Sequence, residues 1–254
     1  MKRISIGIFL LLAFIAVAPF HLLAQNAGEI LQKMDAQAAT IKDKEANVVM
    51  EMINNKTGKV RIQKAVLKQK MPYKTLFHFT YPPSQAGIGT LSLPGNIVYL
   101  YMPAFGRPKK ISKIANSGAF SRSDFSTEDM GPKNWAANYT ATILNTNDIA
   151  FVLKLIPGNK EDVYSKLVVT VNKRHYFPEK IVYYNTQGKA VKQADYQYEK
   201  IGNLWNARVV SMTNLLKNHT TRIINSNVKL NRGLKDSEFT VEQLVLPAKR
   251  KNEK

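Results

Sequence analysis

Outside residues 103–135, the chain from residue 47 to residue 230 reads as one β-strand after another, and that pattern limits its fold more than any other feature. Val48, Met50 and Met52 alternate with Asn47, Val49 and Glu51. Asn55-Lys56-Thr57-Gly58 is a turn with glycine where a positive φ is wanted, and Val60, Ile62 and Val66 resume the alternation. Tyr73, Phe77, Phe79 and Tyr81 share one face of the next run, which Pro82-Pro83 ends. Residues 96–102 and 149–156 are apolar on both faces, so each is expected to be covered on both sides. Runs at 163–171, 180–184, 191–201, 204–215 and 220–230 follow, divided by Pro178, Thr186-Gln187-Gly188-Lys189 and Ile201-Gly202-Asn203. About ten antiparallel strands at this spacing predict a sandwich or a barrel, and the short turns favour up-and-down order. An amphipathic helix is expected over 28–39, with Ile30, Leu31, Met34 and Ala38 on one side. A short helix is expected near 241–246, followed by a basic tail of Lys249, Arg250 and Lys251. No repeat or linker divides residues 25–254, which read as one domain.

The first 24 residues have a different character. Lys2-Arg3 precede an apolar run from Ile4 to Ala18, and Leu22-Leu23-Ala24 offers a small residue at a cleavage site. This is the layout of a signal peptide, and Pro19 and His21 break the run where an uncleaved anchor would have to continue. The chain has no cysteine. That excludes a disulfide framework, a thiolate metal site and a cysteine nucleophile, and for an exported chain it points to the periplasm. Lys and Arg number 37 against 18 Asp and Glu, a formal net charge of +19. An anionic partner is expected, and export argues against nucleic acid and for a lipid surface.

Catalytic motifs are missing from the sequence. His78, His175 and His219 stand at no metal-ligand spacing, there is no nucleophile elbow or phosphate loop, and Gly87-Ile88-Gly89 lacks a third glycine. The reading is therefore a non-enzymatic protein with no cofactor and no metal. Between residues 103 and 135 the strand pattern stops, in a segment that holds Phe105, Phe120 and Phe125. Loops of this length inside a domain are usually functional. Asp124, Glu128 and Asp129 are its close carboxylates. Lying among Arg107, Lys109, Lys110 and Arg122, they read as ion pairs that order the loop rather than as a hydrolytic pair.

The apolar strand faces outnumber the elements available to cover them. Either the inward side chains fill a core, or they leave an apolar cavity suited to an acyl chain. The run Tyr99-Leu100-Tyr101-Met102-Pro103-Ala104-Phe105-Gly106-Arg107-Pro108-Lys109-Lys110-Ile111, followed by Ser123-Asp124-Phe125-Ser126-Thr127-Glu128-Asp129, resembles the bacterial LolA-like family of outer membrane lipoprotein-sorting proteins. The resemblance implies a mainly β fold: a curved antiparallel sheet forming an incomplete barrel, closed by an N-terminal helix and short helical segments. It also implies a periplasmic carrier of an acylated lipoprotein or lipid, served by an inner-membrane exporter and an outer-membrane acceptor, and a monomer is the default expectation for such a shuttle. Alternation then places Met50, Met52, Phe77, Phe79, Tyr99, Tyr101, Phe151 and Leu153 on the cavity wall. Arg107, Lys109, Lys110 and Arg122 are expected to flank its mouth, where they would meet headgroups or a transient anionic membrane surface. A slip of one residue would swap each strand's set to the other face. The competing reading is a non-enzymatic envelope adaptor with a filled barrel that binds a protein or an acidic polysaccharide.

Overall fold

In the computed structural model, which describes residues 26–95, 97–111, 120–126, 129, 133–159 and 162–246, the alternating runs form one antiparallel sheet of thirteen strands. The strands are β1 (Asp43–Asn54), β2 (Val60–Lys70), β3 (Lys74–Tyr81), β4 (Gly89–Leu93), β5 (Ile97–Tyr101), β6 (Lys109–Ile111), β7 (Tyr139–Thr146), β8 (Ala150–Pro157), β9 (Lys166–Asn172), β10 (Pro178–Tyr184), β11 (Ala190–Ile201), β12 (Leu204–Asn214) and β13 (His219–Leu230). Their order is β6-β5-β4-β3-β2-β1-β13-β12-β11-β10-β9-β8-β7. Two meanders are thus joined where the first strand pairs with the last, from Lys44 opposite Leu230 to Asn54 opposite His219. The sheet has two free ends and is not closed into a barrel. The predicted signal peptide, residues 1–24, and the basic tail lie outside the described residues.

Three strands exceed the sequence reading: β4, β6 and β7. β6 and β7 are the edges, and each lacks the strong apolar alternation of an interior strand. β6 is three residues long and carries Lys109 and Lys110, while β7 alternates Thr140 and Thr142 with Tyr139, Ala141 and Ile143, which are only partly buried against the core. Hairpin turns fall where glycine allows them, as at Gly58 with φ of 70°.

The sheet curls. Phe77 and Phe79 of β3 share one packed cluster with Phe151 and Leu153 of β8. Adjacent strands lie about 4.8 Å apart, so a flat sheet would hold these two strands roughly 40 Å from each other. Inside the curl lies helix α1 (Ala27–Ala38), begun by Asn26, whose side chain accepts from Gly28 N at 3.0 Å. Its apolar stripe of Ile30, Leu31 and Met34 is buried against the concave face.

The outer face of β3–β5 is covered by the C-terminal segment. The Asp43 carboxylate accepts from the backbone N–H groups of Arg232, Gly233 and Leu234 at 2.7 to 3.2 Å, fixing the path of the chain as it leaves β13. Leu234, Phe239 and Leu244, the last on helix α3 (Val241–Val245), then pack on Leu76 and Leu91. Glu238 meets Lys68 at 2.6 Å and Asp236 meets Lys70 at 2.7 Å, but these pairs lie near solvent and contribute little. The buried tie is His78, whose Nε2 donates to the Leu244 carbonyl at 2.9 Å.

Gly89 is where the segment comes closest to the sheet. A Cβ there would lie 2.7 Å from His78 Cδ2 and 2.8 Å from Leu244 Cδ1. We expect Gly89→Ala to cost about 1–3 kcal/mol and to lower Tm by roughly 2–12 °C in a melting experiment. Burial also holds the His78 imidazole below its ordinary pKa of 6.5. On acidification the unfolded chain takes up this proton first, so this residue's share of stability is lost as pH falls below about 6.5. Denaturant midpoints measured across pH 5–7 should fall on the acid side more steeply in wild type than in His78→Gln.

Candidate functional site

The register assigns the faces. Met50 opposes Gln63 on β2 and Ile223 on β13, and Val48 opposes Ala65, which in turn opposes Phe79. Continuing through β12, β11, β10, β9 and β8, the inward residues include Met212, Ala194, Ile181, Val169 and Leu153. The concave face is therefore predominantly apolar from β3 to β8, with Gln63, Thr221 and Lys192 as polar interruptions, and most of its inward side chains belong to one buried cluster. Met50, Phe77, Phe79, Phe151 and Leu153 lie in that cluster. Met52 shares their face and is buried near the turn of the β1–β2 hairpin, where the Arg61 guanidinium donates to its sulfur at 3.1 Å.

Tyr99 and Tyr101 do not join them. Leu76 opposes Leu91, which opposes Tyr99, while His78 opposes Gly89, which opposes Tyr101, so both tyrosines face outward and pack under the C-terminal segment. Leu100, opposite Thr90 and through it in step with Phe77, is the inward residue of β5. The expected placement is off by one residue because β5 is apolar on both faces, so alternation alone carries no sign.

Two segments that belong to no strand fill the concavity beside α1. The first is helix α2 (Trp135–Asn138). The Asp35 carboxylate of α1 accepts from Trp135 N at 2.8 Å and Ala136 N at 2.9 Å, and Trp135 is buried in the cluster. The second is residues 120–126, which we term the plug. Phe120 lies edge-on to Phe77 with ring centroids 5.3 Å apart, and Phe125 is buried in the same cluster. Ser121 and Arg122 hold φ of 50° and 62°, uncommon values for residues with side chains.

The plug is tied to the sheet by polar contacts at a few points. Ser121 Oγ donates to Gln63 Oε1 at 3.0 Å, and Arg61 donates to the Arg122 carbonyl at 3.4 Å. The buried Asp124 carboxylate accepts from Thr221 Oγ1 at 2.7 Å and meets His219 Nδ1 at 2.6 Å, while its backbone N–H donates to Thr221 at 3.0 Å. Asp129, whose side chain is fully buried, pairs with Lys192 at 2.9 Å, receives Ser126 N at 2.8 Å and accepts from Tyr164 Oη at 3.3 Å. Glu128 lies outside the described residues.

Arg107, Lys109, Lys110 and Arg122 are exposed, and Lys109 Nζ stands 4.8 Å from the centre of the Phe105 ring. Beside the plug a cleft of about 220 Å³ is lined by Ser126, Tyr164, Val191, Lys192, Asn214 and Leu216. Among the described residues no group of three His, Asp or Glu side chains could hold a metal ion. His219, Thr221, Gln63 and Lys192 are site residues that the sequence reading missed. The available signal was polar side chains at strand positions whose alternation turns them inward.

Burial shifts several ionisations on this face. Desolvation lowers Lys44, which shares a face with Ala46 and Met50, to about 8, against a weaker opposing effect of the Glu199 carboxylate. Desolvation likewise raises Tyr183 and Tyr196.

An open antiparallel sheet curled around a helix and short capping segments defines a mainly β, LolA-like architecture. Solved structures share it. A domain provisionally described as an outer membrane lipoprotein-sorting protein, from Vibrio parahaemolyticus, is 27% identical at TM-score 0.77, covering 87% of this chain and all of its own. A DUF1329 family protein from Desulfovibrio piger, 24% identical, has TM-score 0.77 over 86% of this chain and 97% of its own. A LolA superfamily protein from Nitrosomonas europaea, 22% identical, has TM-score 0.70 over 85% and 98%. These last two show the shared fold alone. No curated protein sequence matches the chain. A family model described as "Uncharacterized protein" matches residues 71–245, and the chain belongs to that family, with a LolA-like fold.

Two outcomes are expected. Asp124→Ala removes a buried carboxylate and leaves His219 Nδ1 and the Thr221 hydroxyl proton without their acceptor, at about 1–3 kcal/mol. Hydrogen exchange should then speed up at residues 120–126 first. Because folding lowers the Lys44 pKa from 10.5 to about 8, the unfolded chain binds more protons between these values, and stability should rise with pH across the window. Above pH 10 the buried tyrosines act the other way, since the folded state keeps protons that the unfolded chain releases. Unfolding midpoints at pH 7.5 to 9.5 should climb in wild type and stay level in Lys44→Met.

Proposed function

We propose that this protein is a non-enzymatic periplasmic carrier that holds the acyl chains of a lipoprotein or lipid against the concave face of its sheet. The observation that carries the reading is the predominantly apolar concave face running from β3 to β8, covered by segments that are not hydrogen-bonded into the sheet as strands. A carrier that takes one sixteen-carbon chain out of water must supply roughly 12 kcal/mol of apolar contact, at ~0.8 kcal/mol per methylene. In the described conformation Phe120, Phe125, Trp135 and the α1 stripe occupy that surface. Cargo would replace Phe120 and Phe125 once the ties at Gln63, Thr221 and His219 open. Met50, Met52, Phe77, Phe79, Phe151 and Leu153 would form the wall, and Arg107, Lys109, Lys110 and Arg122 would meet headgroups. An exporter in one membrane and an acceptor in the other would complete the route.

The packed state of the face also favours a second reading. The cleft beside the plug, about 220 Å³, is smaller than typical small-molecule sites, and a permanently filled core would suit an envelope adaptor that binds a protein or an acidic polysaccharide. Native mass spectrometry of protein from a periplasmic extract, with lipid extraction of the same sample, separates the two. The carrier reading expects a discrete added mass that extracts as an acyl lipid. It also expects Asp124→Ala to take up a fluorescent fatty acid several-fold faster than wild type. A bare polypeptide mass and no uptake by either protein would overturn it in favour of the adaptor.

A further inference from the structure

In an up-and-down sheet every second connection lies at the same end. Here the connections at residues 55–59, 82–88, 102–108, 158–165, 185–189 and 215–218 share one end, as the registers Asn54–His219, Lys192–Asn214, Lys166–Tyr184, Lys64–Tyr81 and Gly89–Tyr101 require. Asn55 N donates to the Asn218 carbonyl at 3.1 Å, joining two of these tips directly. The plug reaches the same end, since Ser126 and Leu216 line one cleft and Arg61, just past the first tip, binds the Arg122 carbonyl.

Charge and hydrophobicity are unevenly distributed at this rim. Five of the six connections contain no Asp or Glu, the exception being 158–165, with Glu161 and Asp162. The described tips carry Lys56, Lys59, Arg107, Lys189 and Lys217, all exposed. The far end has mixed charge, with Asp148, Asp236 and Glu238 among its basic residues. Three connections on this rim also project large apolar side chains into solvent, one of them through Val163, 51% exposed in the acid-bearing 158–165 connection. Leu215 and Leu216 are 44% and 57% exposed at the β12–β13 tip, and Phe105 is 57% exposed between β5 and β6. Exposed apolar groups set in a cationic rim match a surface with anionic headgroups above hydrocarbon.

We propose that this rim docks on an anionic lipid bilayer, with Leu215 and Leu216, aided by Phe105, entering the headgroup region while the surrounding lysines and Arg107 hold the phosphates. The assignment rests on the carrier reading for its purpose, because it turns the plug and its cleft toward the membrane.

The test is sedimentation with vesicles, using the chain as its host cell processes it. Vesicles of phosphatidylglycerol and phosphatidylethanolamine should bind it, phosphatidylcholine vesicles should bind it far less, and salt raised from about 0.05 to 0.5 M should weaken the binding. The double variant Phe105→Ser, Leu215→Ser, which alters two exposed turns and spares the residues lining the cleft, should keep its Tm and lose at least ~10-fold in vesicle affinity, given the apolar area withdrawn from contact. Ile149→Ser, 71% exposed in the β7–β8 connection at the far end, should change nothing. The proposal is overturned if wild type ignores anionic vesicles at low salt, if the double variant binds as wild type does, or if Ile149→Ser loses as much. Fatty-acid uptake measured without vesicles reads the carrier function separately. Uptake kept with vesicle binding lost in the double variant supports docking, whereas absent uptake with vesicle binding intact removes only the carrier reading.

Discussion

The pairing of β1 with β13 is the contact on which the rest of the molecule depends. Strands β1 to β6 form one meander and β7 to β13 another, and each alone would expose an apolar face with too little to cover it. Joined along Lys44–Asn54 and His219–Leu230, they become one surface wide enough to curl. The curl then gives α1, α2 and the plug a common place to bury Ile30, Leu31, Trp135 and Phe125. The same seam sets the polar ties, because Thr221 and His219 lie on β13 and Gln63 one strand beyond β1.

Much of this architecture was legible in the sequence because period-two alternation and turn chemistry are local. Met50 and Met52, Phe77 and Phe79, and the Gly58 turn fall where alternation puts them. Legibility failed where a strand is apolar on both sides, as at Tyr99 and Tyr101. It failed again where edge strands, partnered on one side only, need little apolar patterning, as in β6 and β7. What covers the outer face of β5 could not be read either, since Leu234, Phe239 and Leu244 reach it from the far end of the chain. The partners of Asp124 were hidden for the same reason: His219 and Thr221 are about a hundred residues away, and only the sheet order brings them to the plug.

The interior of the curl is held by two kinds of interaction with different consequences. Packing among Leu153, Val169, Ile181 and Met50 is continuous, and it loses free energy with any gap. The ties at Gln63, Asp124 and Asp129 are few and discrete, so a segment held by them can leave as a unit once its hydrogen bonds find other partners. The strained backbone of Ser121 and Arg122 lies in that second class.

The first-to-last seam also bears on how the chain reaches this state. β1 is among the earliest segments to be synthesised, yet its partner is not complete until residue 230. Contacts so distant in sequence form slowly, because the intervening loop must be closed before they contribute. Until then both β1 and β12 present unpaired backbone along flanks that are interior in the finished sheet, and such flanks readily recruit other chains. A product ending before His219 would keep those flanks open permanently. Loss of the last strand would therefore turn two strand flanks into templates for aggregation rather than merely trim one end of the sheet.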